Sequence, residues 1–283
     1  MAGRGSEKVL DWAMRCAAYL VVLAVAYIVL HIVWNGLPAL SWSFFTTSPT
    51  GGGASGGIFP AIVGTGLLVF GTIVAALPLG VACAVYLSEY ARQNLLTRAV
   101  RMAIVTLAGI PSIVFGLFGF GLFVTFLDFR PSVLSGSLTL ACMVLPTIIV
   151  ASEEALRAVP RSLREGSLAL GATQWQAIRT NVLPYAVPGM VTGSILAIGR
   201  AAGETAPILL TCAAFFLKEL PHSVYDQVMA LPYHLYILAT QHHDMARVRP
   251  QQYGTALTLL LLVLGVNLFA ILIRYHFRKK YRW

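Results

Sequence analysis

Apolar residues in this chain are grouped into six long runs separated by short polar segments. Each run reaches the roughly 20 residues that a helix needs to cross the hydrocarbon core of a bilayer. The runs cover residues 13–34, 58–87, 102–127, 133–152, 184–212 and 254–274. The first run exceeds the ~7–15 apolar residues of a signal peptide, and no convincing cleavage site follows it. The pattern predicts an all-α membrane protein with six transmembrane helices, the first of them retained.

Three of these runs contain a proline that we predict to be a helix hinge, at Pro78, Pro111 and Pro146. Proline removes a backbone donor and clashes with the preceding turn, so a helix bends or breaks where it occurs. Pro111 also lies in a glycine-rich stretch, 109–121, which favours a kinked and closely packed third helix.

Two polar segments are predicted to lie outside the membrane. Residues 35–57 carry no charge and end in GGGASGG, which lacks the Lys-Ser/Thr of a phosphate-binding loop, so we expect a flexible exterior linker. Residues 213–253 contain two apolar stretches, FFLKELP and MALPYHLYILA, that are predicted to form short interfacial helices. This segment also holds four of the six histidines, which we interpret as solvated loop residues and not as metal ligands: His222, His234, His242 and His243.

Composition and charge favour a membrane protein over a nucleic-acid-binding one. Hydrophobic residues make up 58% of the chain, and the mean hydropathy is +0.77. The net charge of +9 follows membrane topology. With the N-terminus inside, 15 of the 20 Lys and Arg residues fall in inside segments, four fall outside and one lies within a run. Because cytoplasmic loops carry the excess of basic residues, both termini are predicted to be cytoplasmic.

The most polar stretch of the chain, residues 153–183, separates the fourth and fifth runs. It contains four arginines and three glutamates. Charged side chains at the centre of a membrane helix cost about 2.5–3.5 kcal/mol each, so the segment must lie outside the bilayer, on the arginine-rich cytoplasmic side. Apolar residues recur at helical spacing, and Gly171 divides the pattern into two helices. We expect Glu153 and Glu154 to pair with Arg157 and Arg161.

This segment resembles the cytoplasmic EAA loop of ABC-importer permeases. The loop has the pattern E-A-A, three residues, Gly, nine residues and I-x-L-P, and Glu165, Gly171, Leu183 and Pro184 fall on it with the right spacing. Three positions depart from the pattern, with Gly166, Ser167 and Asn181 in place of Ala, Ala and Ile. On spacing alone, an ordinary amphipathic loop helix is the alternative. The surrounding LREGSLALGATQWQAIRTNVLP is similar to the version in phosphate importers.

Further stretches extend the resemblance to phosphate-specific ABC importer permeases over residues 56–277. They include GGIFPAIVGT, LPLGVACAVYLSEYA and LPTIIVASEEALRAVPRSLREG. GRAAGETAPILLT and VMALPYHLYILAT favour the A-type subunit over its C-type partner. The resemblance implies the type I importer permease fold, preceded by residues 1–55 and followed by a basic tail, 278–283. The C-type subunit, or a permease for another oxyanion such as phosphonate or sulfate, is the alternative.

The resemblance also implies the partners and a site of contact with them. In such importers the loop is a coupling helix that docks on an ATPase, and six residues would make that contact: Glu165, Gly166, Ala169, Leu170, Gly171 and Ala172. The chain contains no Walker A pattern. It is therefore predicted not to be an enzyme, and ATP-Mg is expected on two separate ATPase subunits. A C-type permease subunit, a periplasmic phosphate-binding protein and the lipid of a bacterial inner membrane complete the expected partners. No cofactor, metal or nucleic acid is expected on this chain.

Arg200 and Glu204 are the charged residues of greatest chemical interest. They lie about midway along the fifth run, four residues apart, which places them on one face of a helix. Charged residues within a membrane span mark functional sites by default, and a guanidinium fork can donate two hydrogen bonds to an oxyanion. We therefore predict that this pair lines a substrate pathway. A structural ion pair that never meets substrate is the alternative. An intramembrane enzyme would need clustered Asp, His, Ser or Cys residues, and a channel would not need the coupling loop.

Overall fold

The computed structural model describes residues 4–217, 219–242 and 244–280, and within them the chain is almost entirely helical. Twelve helices and one two-stranded hairpin are described. In chain order they are α1 (Arg4–Gly36), α2 (Trp42–Thr46), β1 (Pro49–Thr50), β2 (Ser55–Gly56), α3 (Phe59–Val85), α4 (Leu95–Ala108), α5 (Ser112–Gly119), α6 (Val133–Ala158), α7 (Arg161–Ala169), α8 (Gln174–Ala177), α9 (Leu183–Gly203), α10 (Ala206–Thr211), α11 (Leu231–Thr240) and α12 (Met245–Lys280). The all-α prediction is confirmed.

Three stretches of π-helix adjoin these helices. Tyr86–Tyr90 continues α3, Phe120–Phe126 continues α5, and Ile178–Val182 joins α8 to α9. A π-turn inserts one extra residue into a helical turn and is frequent at functional sites. Two of the three, Tyr86–Tyr90 and Ile178–Val182, contain residues that bind α7.

The six predicted runs correspond to five unbroken helices and one bent pair that are long and apolar enough to span a membrane. The bent pair is α4 with α5, whose axes differ by 106°. The prediction of a single kinked third helix is therefore wrong. Pro111 cannot donate a backbone hydrogen bond and disfavours helical geometry in the residue before it, so the chain breaks across 109–111. By contrast, α3 and α6 run through Pro78 and Pro146 without a break.

The core of the bundle is formed by α3, α6 and α9, which pack through small residues. A side chain added at Gly189 would meet Ala155, and one added at Gly193 would collide with Ala151. Lipid is as apolar as a hydrophobic side chain, so close backbone approach and van der Waals contact hold membrane helices together. These two glycines also fix the register of α9 against the antiparallel α6.

The fifth run is displaced along the chain from its predicted position. The helix begins at α8, continues through a π-turn into α9 and ends at Gly203, whereas the run was predicted to span residues 184–212. Residues 204 and 205 are not helical, and the short α10 follows. Pro207 explains part of this break, because it supplies no backbone donor and belongs in a helix's first turn.

The segment predicted as a flexible linker is packed against α11 and Phe215, with which it forms what we call the exterior layer, so that prediction is wrong. β1 and β2 pair antiparallel and enclose Gly51, Gly52 and Gly53, all of which have positive φ. Gly53 lies against the side chains of Phe215, His234 and Leu238. The glycines therefore permit a tight hairpin turn and its close approach to α11.

The segment 213–253 is only partly as predicted. MALPYHLYILA contains α11, but in FFLKELP the described residues, 215–217 and 219–221, are not helical. The last helix begins at Met245, nine residues before the predicted sixth run. His222 is solvated as expected. His243 lies outside the described residues.

His234 contradicts the prediction of solvated histidines. Its side chain is 2% exposed and stacks on Phe215, with ring centroids 5.6 Å apart. The Nδ1 atom has no hydrogen-bond partner among the described residues. Burial penalises the charged imidazolium and lowers the pKa of His234 from 6.5 to about 4. Phe215 is distant from His234 in the sequence and lies outside α11, so the sequence pattern alone did not reveal this burial.

We predict that acid destabilises the exterior layer through His234. Above pH 6.5 the imidazole is neutral in both folded and unfolded chains. As the pH falls from 6.5 towards 4, the unfolded chain binds a proton that the folded chain excludes, so the free energy of unfolding decreases by up to about 3 kcal/mol. The thermal midpoint in detergent should fall over this range, and His234→Gln should remove that part of the fall. A His234→Gln profile parallel to the parent's between pH 7 and pH 4 would contradict this.

Candidate functional site

The structure brings Arg200 and Glu204 together at the end of α9. The Nε atom of Arg200 lies 3.2 Å from Oε1 of Glu204. Arg200 occupies the last helical turn, whereas Glu204 follows it in an extended conformation with φ −75° and ψ 135°. The two residues therefore do not share a face of one continuous helix as predicted. They meet because the side chain of Glu204 turns back across the helix end.

This helix end lies near the middle of the bundle. Extending the register set by Gly193 and Ala151 places Arg200 level with Val144, about halfway along α6. A helix that stops at this depth leaves backbone groups without intrahelical partners, and such breaks are tolerated in membranes only in contact with protein or water. The side chain of Arg200 is 47% exposed, whereas that of Glu204 is 16% exposed.

Most of the hydrogen-bonding capacity of Arg200 is unused. Its Nε donates to Glu204, and within the described residues neither terminal amino group has a hydrogen-bond partner. A guanidinium carries five N–H donors in a planar fork suited to oxyanions. The helix end can therefore offer at least four donors to a ligand without first breaking the ion pair.

Asn267 on α12 is a polar residue of this region that the sequence analysis missed. Its Oδ1 is buried without a partner in the described chain, and a side chain added at Gly199 would touch it. Gly199 immediately precedes Arg200. The available signal was a single asparagine in the apolar run 254–274, since polar residues within a span are rare and functional by default.

The six residues predicted to contact an ATPase lie on the second half of α7 and in the projecting turn that connects it to α8. Gly171 has φ +84°, a conformation that glycine adopts without steric cost. Leu170 is 91% exposed, and a side chain added at Gly166 would meet nothing. Glu165 and Ala169 are also exposed, and Ala172 is half-buried. The turn ends in a capping box formed by Thr173 and Gln176.

Two departures from the EAA pattern are partners in the structure. The Nδ2 of Asn181 donates to Oγ of Ser167 at 2.6 Å, and Ser167 donates to the carbonyl of Leu163 at 2.7 Å. Ser167 lies on α7, and Asn181 lies in the π-turn Ile178–Val182. A hydrogen bond thus joins α7 to the start of α9 where the general pattern has two apolar residues.

The charged residues of the cytoplasmic side are paired differently from the prediction. Glu153 binds Arg157 at 2.7 Å as expected, and it also binds Arg101 of α4 at 2.8 Å. In the described part of the chain Glu154 and Arg161 form no ion pair, so that predicted pair is wrong. Arg161 follows Pro160, and the break between α6 and α7 removes the helical spacing on which the prediction relied.

Arg164 and Glu89 form an ion pair that sequence spacing did not predict, because 75 residues separate them. Arg164 Nη2 lies 2.7 Å from Glu89 Oε1, and Arg164 Nε lies 3.1 Å from Glu89 Oε2. Gln174 Nε2 also donates to the backbone carbonyl of Glu89 at 2.7 Å. The α7–α8 turn is therefore held against the cytoplasmic end of α3.

Comparison with known families identifies this architecture. Residues 76–283 match the family described as "Binding-protein-dependent transport system inner membrane component". The chain belongs to this family. The matched region contains α3 from its last third onward, the helix end at Arg200 and the whole α7–α8 turn. The family consists of ABC importer permease subunits, which are not themselves enzymes.

Curated relatives cover most of the chain. "Phosphate transport system permease protein PstA 1" of Mycobacterium tuberculosis is 39% identical over 228 residues, which are 78% of this chain and 71% of the relative. "Probable ABC transporter permease protein YqgI" of Bacillus subtilis is 34% identical over 237 residues, 80% of each chain. A phosphate transport permease PstA of Xylella fastidiosa is 31% identical over 86% of this chain and 84% of its own.

Solved structures share the fold at low sequence identity. A bacterial alginate ABC transporter, in complex with an alginate pentasaccharide-bound periplasmic protein, superposes with a TM-score of 0.68 at 17% identity, over 94% of this chain and 93% of its own. The MetNI methionine ABC transporter in an inward-facing conformation gives 0.62 at 18% identity, over 78% and 97%. The type I importer permease fold is confirmed.

We predict that Ser167 and Asn181 are energetically coupled. Ser167→Ala removes the acceptor and leaves the part-buried Asn181 amide without its partner, which should destabilise the protein by about 1–2 kcal/mol. Ser167→Ala combined with Asn181→Ile restores an apolar pair and should cost less than the sum of the two single changes. Thermal unfolding of the four proteins in detergent gives the coupling energy. Strict additivity of the two single changes would contradict the prediction.

Proposed function

We propose that this chain is the A-type membrane-spanning subunit of an ATP-driven phosphate importer and that Arg200 and Glu204 line its translocation path. The observation that supports this most directly is that the Arg200 guanidinium lies at a helix end halfway through the bundle. Its terminal amino groups are free to donate hydrogen bonds to an oxyanion. The relatives named as phosphate permeases support phosphate over other oxyanions and the A-type over the C-type subunit.

Arg200 and Glu204 have different roles in the proposed site. Arg200 attracts a tetrahedral oxyanion and donates hydrogen bonds to two of its oxygens. Glu204 neutralises Arg200 while the path is empty, which lowers the cost of a charge in the membrane. When phosphate arrives protonated, Glu204 can accept a hydrogen bond from its P–OH group. Asn267 lies beside the same helix turn and adds a polar group there.

In this proposal, ATP hydrolysis by a partner subunit moves this chain through the α7–α8 turn. Six residues, Glu165, Gly166, Ala169, Leu170, Gly171 and Ala172, are proposed to dock on an ATPase, and two such subunits would carry ATP-Mg. The exposure of Leu170 supports this, because a large apolar side chain at a projecting turn favours an interface. No cofactor is assigned to this chain itself.

A C-type permease subunit and a periplasmic phosphate-binding protein complete the proposed assembly in a bacterial inner membrane. The charge bias supports cytoplasmic termini. The permease domain is residues 56–277, with 1–55 before it and the basic tail 278–283 after it. Alternating access needs spans that bend, and the 106° break at Pro111 favours this proline as a hinge over Pro78 and Pro146.

The proposal predicts that cells lacking only this chain lose high-affinity phosphate uptake. Complementation with the parent chain should restore uptake of labelled phosphate, with labelled sulfate uptake as the control. If deletion left phosphate uptake intact and lowered that of another oxyanion, the permease assignment would stand and the substrate assignment would fail.

Arg200→Lys should separate charge from geometry at the site. Lysine keeps the positive charge but presents a single ammonium in place of the planar fork, so phosphate uptake should fall at least about tenfold, as for the loss of one charged hydrogen bond. Arg200→Ala should lower it further. The measurement is initial uptake rate at matched membrane levels, with Arg247→Lys, on the exterior side, as the control. Parental rates in Arg200→Ala would refute the assignment of Arg200 to the path.

A further inference from the structure

All three guanidinium nitrogens of Arg164 donate hydrogen bonds that hold α7 in place. Arg164 makes four hydrogen bonds, to Glu89 Oε2 at 3.1 Å from Nε, to Glu89 Oε1 at 2.7 Å and the Leu156 carbonyl at 2.8 Å from Nη2, and to the Val159 carbonyl at 2.7 Å from Nη1. The side chains of Arg164 and Glu89 are 21% and 8% exposed. Such a bidentate, partly buried pair is geometrically rigid.

Glu89 belongs to the second span. It lies in the π-turn Tyr86–Tyr90 that continues α3, and this is where α3 leaves the bundle. Its carboxylate binds Arg164 of α7, and its backbone carbonyl accepts from Gln174 of α8. Both helices of the projecting turn therefore hold the same residue of α3.

The carbonyls of Leu156 and Val159 belong to the fourth span and the residues just after it. They lie at the C-terminal end of α6, where the next helical turn is missing. The Leu156 carbonyl accepts from the Val159 backbone N–H at 3.3 Å and also from Arg164. The Val159 carbonyl accepts from Arg164, whose positive charge complements the negative end of the helix dipole. One side chain of α7 is thus attached to α3 and α6 together.

The other cytoplasmic ion pairs do not reach α7. Arg157 and Glu153 lie on α6, and Arg101 of α4 joins the same carboxylate. In the part of the chain that the structure describes, the other side-chain hydrogen bond from α7 to a span is the neutral Ser167–Asn181 bond at the start of α9. Leu163 of α7 adds apolar packing against the cluster that α3, α6 and α9 share. Within the described residues, Arg164 makes the one ion pair between α7 and a membrane span.

We propose that Arg164 is the positioning residue that converts movement of α7 into concerted movement of α3 and α6. This inference rests on the proposed function, in which an ATPase moves the α7–α8 turn. A two-point Arg–carboxylate contact transmits rotation as well as displacement, whereas a lysine in its place offers one point charge. Loss of the bidentate contact therefore lets α7 move without moving both spans.

The test measures the number of phosphate ions transported per ATP hydrolysed by the complete transporter in proteoliposomes. The phosphate-binding protein is present in the assay. Arg164→Lys and Glu89→Gln should retain ATP hydrolysis and lower this ratio about tenfold or more, within the range of coupling free energies between sites. Arg157→Lys is the matched control, because it alters an arginine–glutamate pair confined to α6, and it should keep the parental ratio. Proportional loss of uptake and hydrolysis, at an unchanged ratio, would mean a merely structural role and overturn the proposal.

A second readout does not depend on the transported substrate. A fluorophore on Tyr86→Cys, in a chain whose four native cysteines are replaced, reports movement of the cytoplasmic end of α3 when ATP binds. Tyr86 is 60% exposed, so it can be labelled. The ATP-induced signal should be lost in Arg164→Lys and kept in Arg157→Lys. Retention of the signal in Arg164→Lys would overturn the proposal, whereas failure of phosphate uptake in the parent would count against the proposed function alone.

Discussion

The bilayer's lack of hydrogen-bonding groups is the constraint on which this architecture depends. Every backbone donor and acceptor within the hydrocarbon must be satisfied inside the protein, so continuous helices are the default and each break must be accommodated by its neighbours. Here α3, α6 and α9 are continuous where they pack on one another. The breaks at 109–111 and 204–205 occur where α5 and α10 are packed together. The charged pair lies at one of these breaks, so a position that is costly for the backbone also carries the two residues proposed to bind the substrate.

The sequence was sufficient for the features that follow from local physics. Five of the six apolar runs predicted unbroken spans, and Gly171 predicted the turn between α7 and α8. These predictions succeed because hydropathy and glycine's tolerance of positive φ act within a few residues. The proximity of Arg200 to Glu204 also followed from a four-residue spacing, although the helix ends between them.

The sequence was insufficient where the outcome depends on distant partners. Pro78, Pro111 and Pro146 look alike in apolar runs, yet only Pro111 lies at a sharp break. At that break α5 packs on α10, which is nearly 100 residues away in sequence. The burial of His234 and the Arg164–Glu89 ion pair also depend on distant partners. Each depends on residues brought together by the fold, at separations where periodicity carries no information.

The departures from the EAA pattern show how such information can still be recovered. Taken singly, Ser167 for Ala and Asn181 for Ile each place a polar group at a position that is otherwise apolar, and each would weaken the assignment. The structure joins them by a 2.6 Å hydrogen bond. A buried polar group is costly only while it is unpaired, so two departures that satisfy one another preserve the packing of α7 on the start of α9. In this chain the two departures from the EAA pattern therefore compensate one another, and their contact is consistent with the motif that they interrupt.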